Sequence, residues 1–344
     1  MFYKQTESYH NKSRYFSHVN TFWVIQNNQP VLKAIDKINQ KTNAKSVVTY
    51  DFSTLYTKIP HNKLLDVLEE VIDFCFKGRT LDYLGISNSG EAKWYKKRPK
   101  TFFFTKTSIK EAIKFLIENC YFTLGSYVLR QIIGIPMGSD PAPFFANLFL
   151  FHYEYRWIKK QSKENPSLVR LFNNIFRYID DLIALNNNNE FDKHYKEIYP
   201  PELELKKENI DPTEASFLDL SIKIRESRFC TSLYDKRNNF SFSIVRMPNQ
   251  CSNIPTKMFY STISSEILRI CRATSSLELF LISTKTILLR MFNQGANYSK
   301  LKISLLKMLN KHSTEFSKYN VTNDILVTII MNTSNNNRQG VRNL

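Results

Sequence analysis

At 344 residues the chain is long enough for about two ordinary domains, and 48 Lys and Arg against 31 Asp and Glu leave a formal net charge of +17. With 42% hydrophobic and 14% aromatic residues the charge belongs to a chain with a core, which excludes an acidic disordered polypeptide and a solvated basic tail alike. A basic shell around a core selects polyanions as partners, nucleic acid ahead of an anionic membrane.

No uninterrupted apolar run reaches the ~18 residues of a membrane span, and the opening Met1–Glu7 lacks a secretory apolar stretch. The five cysteines (Cys75, Cys120, Cys230, Cys251 and Cys271) are scattered, with no close pair and no partnering His pattern. Odd count and spacing argue against a disulfide framework and a zinc site, and for a reduced, intracellular compartment. Eight glycines leave no Gly-rich phosphate loop.

In chain order, residues 1–45 are polar, dotted with aromatics and weakly periodic. Ser46–Tyr50 predicts a short buried strand ending in Asp51. After Pro60, Leu64, Leu65, Leu68, Val71, Ile72 and Cys75 recur at helical spacing. Residues 77–100 read as a basic loop closing on Lys96–Lys100, a run that suits nuclear import or RNA phosphates equally. A second helix is expected from Ser108, with Ser108 and Glu111 as its capping box. Residues 121–133 predict a hairpin turning at Gly125–Ser126. The Pro- and Gly-rich Gly134–Pro143 then runs into an apolar helix over Phe144–Trp157.

Ile175–Leu185 reads as strand, two carboxylates, strand, closed by an Asn186–Asn189 loop, and Phe217–Tyr234 as a hairpin turning at Glu226–Ser227. The rest is expected to be helical. Leu277, Phe280, Leu281, Ile287, Leu288 and Met291 form one stripe, started by Ser275 with Glu278 and stopped near Gly295. A shorter helix covers 299–311, and 313–344 reads as a tail, disordered toward its Asn-rich end from residue 330. There is no internal repeat. Hairpins outnumber βαβ units, so an α+β fold is expected rather than a doubly wound parallel sheet.

A tandem Asp in a hairpin turn is ordinarily just a solvated turn. Asp180-Asp181 differs in its apolar flanks, which set two negative charges at the rim of a buried sheet. Unpaired carboxylates there raise one another's pKa, and a divalent cation removes that cost. Asp51 also ends an apolar strand, so strand adjacency would bring it beside Asp180. Three carboxylates at strand ends can hold two Mg²⁺ ions roughly 3.5–4 Å apart, an arrangement that serves phosphoryl transfer. Each Mg²⁺ takes one or two carboxylates and leaves room for substrate phosphates.

These residues resemble a family. Asp51–His61 (DFSTLYTKIPH) resembles the first carboxylate motif of reverse transcriptases in the form typical of Penelope-like elements. Gly134–Asn147 (GIPMGSDPAPFFAN) is similar to their template- and nucleotide-positioning motif, and Tyr178–Asp181 to the aromatic-x-Asp-Asp box. Phe217–Leu220, and Ser252–Pro255 followed by Glu266–Arg272, resemble the hairpin after the palm and the entry to the thumb. The motifs stand in family order over residues 46–275.

The resemblance implies a right-hand polymerase: an antiparallel palm sheet with packed helices over 46–240, residual fingers over 1–45 and a helical thumb over 241–312. It implies RNA-directed DNA synthesis of a retroelement, with RNA template, DNA primer and dNTPs as partners, two Mg²⁺ ions (or Mn²⁺ in their place), no membrane and a nuclear location. Asp51, Asp180 and Asp181 would be the catalytic metal carboxylates, Asp181 the less direct ligand, with Phe52 lending a backbone carbonyl. Tyr56 sits where the family keeps an aromatic gate against the ribose 2′-OH, and Met137-Gly138 where many members have Gln-Gly at the incoming base. Lys206 and Lys207 could offer a cation to the leaving pyrophosphate, although a solvated surface is the more ordinary reading of that pair. Arg269, Arg272, Lys285 and Arg290, with Lys300 and Lys302, would grip phosphates from the thumb.

The chain departs from the family in its fingers. The "L-P-K-x-H-K" and "R-P-I" patterns are not found in the 50 residues before Asp51, and no GIY-YIG pattern follows the thumb. Truncated fingers keep open an alternative, a catalytically inactive remnant that binds RNA/DNA duplex. A third reading, an RNA-directed RNA polymerase, is opposed by Tyr178 in place of Gly before Asp-Asp and by Tyr56 at the gate.

Overall fold

The polar opening segment contains an element that its weak periodicity concealed, helix α1 over Gln29–Lys41. Val31, Ile35 and Ile38 are buried at i, i+4 and i+7, a narrow stripe diluted by polar neighbours. The structure, a computed structural model, describes residues 18–77, 82–242, 247–324, 326–328 and 330–332, with Thr6, Ser8 and Ile244. It comprises two units, 1–34 with 45–212 and 35–44 with 213–344.

The first unit is built on a four-stranded sheet. Strand β1 (Val47–Phe52) leads into the short helix α2 (Leu55–Lys58) and then α3 (His61–Phe76), whose predicted stripe of Leu64, Leu68, Val71, Ile72 and Cys75 is buried. Residues 77–100, expected as a loop, instead supply strands β2 (Tyr83–Ile86) and β3 (Ala92–Tyr95), which pair with β4 (Phe102–Phe104) in the order β3-β2-β4. The strands are short and carry lysines, so alternation never rises above background, yet Leu84 anchors them on Ile72 and Ile109. Gly85 lets them close: a Cβ there would lie 2.6 Å from the Tyr95 ring.

Helix α4 (Lys106–Glu118) starts earlier than expected, capped by Thr105 with Ser108 at N3 in a reciprocal box, so Ser108 takes the place expected of an acidic partner. The hairpin of β5 (Tyr121–Leu124) and β6 (Tyr127–Arg130) turns at Gly125, where φ is +61°. Helix α5 spans Ala142–Glu164, longer than its apolar run at both ends, and Phe145 to Phe151 are all buried, as befits a helix inside the unit. After α6 (Pro166–Leu171), β7 (Ile175–Tyr178) and β8 (Asp181–Leu185) form the expected hairpin. Helix α7 (Glu190–Ile198) and strand β9 (Leu205–Lys207) complete the unit, with sheet order β7-β8-β1-β9 and every pairing antiparallel. Trp23, Phe149, Phe172 and Phe191 pack the core at no measurable exposure.

The second unit begins with β10 (Glu214–Phe217), β11 (Leu220–Arg225) and β12 (Arg228–Leu233), an antiparallel meander. Its Glu226-Ser227 turn has φ of +49° and +59°, the left-handed pair that a tight hairpin demands, here without glycine. Helices α8 (Thr256–Ala273), α9 (Leu277–Asn293), α10 (Tyr298–Lys311) and the single-turn α11 (Ser313–Phe316) follow. The cap of α9 is Ser276, not Ser275, whose hydroxyl is bonded to the Thr231 backbone instead. The expected tail from 313 is part of the core: Phe316, Tyr319, Leu326, Val327, Ile330 and Met331 pack with α8, α9 and α10 residues. Lys318 anchors this return by donating to the backbone carbonyls of Cys271 and Thr274 at the end of α8. The Asn-rich end, residues 333–344, lies outside the described residues.

Candidate active site

Strand pairing brings the separated acidic residues together. Asp51, near the end of β1, is the direct partner of Asp181 on β8, so their side chains share one face of the sheet. Asp180 stands in the β7–β8 turn, its carbonyl accepting from the Phe52 amide at 3.3 Å. On the other side of β1, Asp51 faces Lys206 of β9. Burial and the neighbouring Asp180 push the Asp51 carboxyl up, and the Lys206 ammonium pulls it partly back.

The two lysines expected together are separated by the pleat. Lys206 is level with Asp51 and forms an ion pair with the exposed Glu204 at 3.6 Å. Lys207 is level with Tyr50, on the opposite face, and binds Asp192 at 2.9 Å. Asp192 also accepts from the Tyr50 hydroxyl at 2.7 Å, so Lys207 belongs to a supporting cluster and is not beside the carboxylates.

The turn that carries Asp180 is held from below. Ile179 has φ of +56°, a conformation that a β-branched residue adopts only under constraint. The constraint is Arg177, which has no solvent exposure. Its Nη1 donates to the Ile179 carbonyl at 2.8 Å and to Asn147 Oδ1 at 2.8 Å. Nε and Nη2 bind the two oxygens of Glu154 at 2.6 and 3.2 Å, and Tyr199 donates its hydroxyl to Glu154 at 2.9 Å. A buried guanidinium is tolerable only when paired and bonded in this way. Asn147 is the last residue of the Gly134–Asn147 motif, so this network ties that motif to the Asp-Asp turn.

Arg177, Glu154 and Tyr199 were not singled out from sequence. The signal was there: Arg177 lies between Phe176 and Tyr178 in an apolar strand, and Glu154 within an apolar helix. A charge at a core position must have a partner, but sequence alone does not say which.

A second wall adjoins the turn. Tyr56, on α2, is half-buried, and its hydroxyl is pushed up by burial and by the nearby Asp180 and Tyr178. Against it runs Gly134, with φ of +86°, where a Cβ would lie 2.3 Å from the Tyr56 carbonyl oxygen. Gly134 N–H donates to Ile59 O and Ile135 N–H to Tyr56 O, both at 2.8 Å, and His61 Nε2 donates to Gly134 O at 2.9 Å. The start of the loop is thereby locked, while Met137 at its tip is 72% exposed and Gly138 has open space around it.

The acidic set is all oxygen, which suits a hard cation such as Mg²⁺ and not zinc. Among the described residues, however, no three His, Cys, Asp or Glu side chains converge to hold one ion. Asp51 relates to Asp181 through the register and to Asp180 through charge. The arrangement fits ions that each take one or two carboxylates.

In the second unit, three of the six residues expected at phosphates are engaged by carboxylates. Arg269 binds Glu266 at 2.8 Å, Arg272 binds Glu315 at 2.6 and 2.8 Å, and Arg290 binds Asp235 at 2.9 Å. Lys285, partly buried on α9, has no ion pair among the described residues. Lys300 and Lys302 are exposed on α10.

No helix among the described residues is long and apolar enough to cross a membrane. No family model matches the sequence, and no curated protein matches it. Among solved structures, telomerase from Candida albicans in complex with a TWJ fragment of telomeric RNA is similar over 90% of this chain and 52% of its own, with TM-score 0.60 and 13% identity. Apo telomerase from Candida tropicalis is similar over 96% of this chain and 54% of its own, with TM-score 0.49 and 15% identity. The chain thus spans about half the length of these proteins. At this identity the likeness to the Candida albicans structure speaks for fold alone: the chain has an α+β fold of antiparallel sheets and packed helices like that of this telomerase.

Proposed function

We propose that the chain carries the palm and thumb of an RNA-directed DNA polymerase of the Penelope-like type, which extends a primer 3′-OH with deoxynucleotides on an RNA template. The observation that carries this reading is the β1–β8 register, which pairs Asp51 with Asp181 and so joins two motifs 130 residues apart (181 − 51). The spelling of Asp51–His61 and of Gly134–Asn147 supports the Penelope-like assignment. The RNA-bound state of the similar Candida albicans protein supports RNA as template.

Asp51 and Asp180, with Asp181 as the less direct ligand and the Phe52 carbonyl, are the residues that would hold Mg²⁺. The bound metal supplies charge neutralisation for the attacking and departing oxygens. The chain's own residues do the rest. The Tyr56 ring closes the space beneath the sugar and rejects a 2′-hydroxyl, Met137 packs on the incoming base, and Lys206 sets one cation beside the carboxylates for the leaving pyrophosphate. The test is primer extension on an RNA template with Mg²⁺ and dNTPs. Asp51→Asn and Asp180→Asn should each lower synthesis by about 10²–10³-fold or more, the scale of losing a preorganised charge contact. Unchanged synthesis in both variants would sink the assignment.

A second reading, a catalytically inactive protein that binds RNA/DNA duplex, is separated from the first by the same assay. Salt-sensitive duplex binding with no incorporation at saturating dNTP would favour it, and robust extension by the wild-type chain would eliminate it.

A further inference from the structure

Arg269, Arg272 and Arg290 of the second unit spend their charge on carboxylates, but a group of its lysines does not. A groove of about 480 Å³ runs between the packed helices α8 and α10. Lys257 stands on its α8 side and Lys300, Lys307 and Lys311 on its α10 side, all exposed. None of these four has an acidic partner among the described residues, in contrast to Arg269, Arg272 and Arg290. Positions 300, 304, 307 and 311 share one helix face, so Lys300, Ser304, Lys307 and Lys311 form a continuous row about 16 Å long at 1.5 Å per residue. Ser261 faces the row from α8.

The groove is basic at its rim and apolar within. Met308 and the Tyr260 ring are buried along it, and Ile303, 52% exposed, stands at its edge. The Tyr260 hydroxyl is already used, accepting from the Asn297 amide at 2.8 Å, so the ring presents hydrocarbon. Unpaired ammonium groups and hydroxyls in a row match phosphate oxygens. Apolar contacts inside the groove suit the faces of bases, which only an unpaired strand offers.

We propose that this groove is a binding site for single-stranded nucleic acid, with the backbone phosphates on Lys257, Lys300, Lys307 and Lys311. It rests on the polymerase reading only for the choice of nucleic acid among polyanions.

Fluorescence anisotropy of the whole chain with labelled oligo-uridylate and oligo-thymidylate, titrated across salt, tests it. The triple variant Lys300→Gln/Lys307→Gln/Lys311→Gln should bind at least 10-fold more weakly. Its log–log salt slope should fall in magnitude by about 2, since each single-strand phosphate contact contributes about 0.7. Ser304→Asp, one change in the centre of the row, should weaken binding in the same direction with an unchanged unfolding midpoint. Asp51→Asn should leave the groove-dependent binding intact, so loss of synthesis with binding retained supports the groove independently of the polymerase reading. Unaltered oligonucleotide affinity in both groove variants overturns the proposal. So does a greater loss on duplex than on single strand, or a loss confined to phosphatidylserine vesicles or an acidic peptide.

Discussion

Arg177 shows how much of the candidate site depends on a side chain that touches no solvent. Its guanidinium joins β7, α5 and the Ile179 carbonyl, and so fixes the conformation from which Asp180 projects. Breaking such a buried pair leaves the Glu154 carboxyl without its cation, with only the Tyr199 hydroxyl still donating to it, at a cost of about 3–5 kcal/mol. Arg177→Ala should therefore lower the urea unfolding free energy of the chain by about that amount; a loss below about 1 kcal/mol would show that the network carries little of the fold. Arg177 was visible in the sequence as a misplaced charge, whereas its partners Asn147 and Glu154 lie 30 and 23 residues away and were not.

Among elements, the helices that read clearly were those with an unbroken apolar stripe, such as α3 and α9. Their starts were less legible, because a capping hydroxyl can be supplied by either of two adjacent residues; Ser276 caps α9 while Ser275 is drawn to Thr231. The connection after β12 carries its own titration. Hydrogen bonds from Arg237, and then from Arg290, hold the Asp235 carboxyl far below the usual carboxylate range. A depressed folded-state pKa stabilises the fold above the unfolded-state value near 3.9 and is lost as pH falls through and below it. The midpoint of thermal unfolding should therefore drop between pH 5 and pH 2 more steeply in the wild type than in Asp235→Asn. Parallel curves would mean that these ion pairs are not stabilising.

For the molecule as a whole, the excess of 17 positive charges predicts binding of nucleic acid that weakens linearly in log affinity against log salt. A filter or anisotropy assay with duplex of unrelated sequence should show that dependence with little preference among sequences. A salt-independent affinity would mean that the charge is not what binds. Arg269, Arg272 and Arg290 of the second unit are occupied in ion pairs, so the exposed lysines of that unit contribute to this term.

By itself the sequence determined the α+β class and the hairpins at Gly125, Asp180 and Glu226, because these rest on local periodicity and turn chemistry. Three things were decided only by tertiary structure. Antiparallel pairing put Asp51 level with Asp181 and Lys206 while the pleat sent Lys207 to the opposite face. Burial turned the 313–331 segment from a tail into core. Competition among neighbours assigned Arg269, Arg272 and Arg290 to carboxylates and left Lys257, Lys300, Lys307 and Lys311 without acidic partners among the described residues. The physical reason is common to all three: register, burial and ion pairing are set between residues distant in the chain, and local patterns carry no distance information.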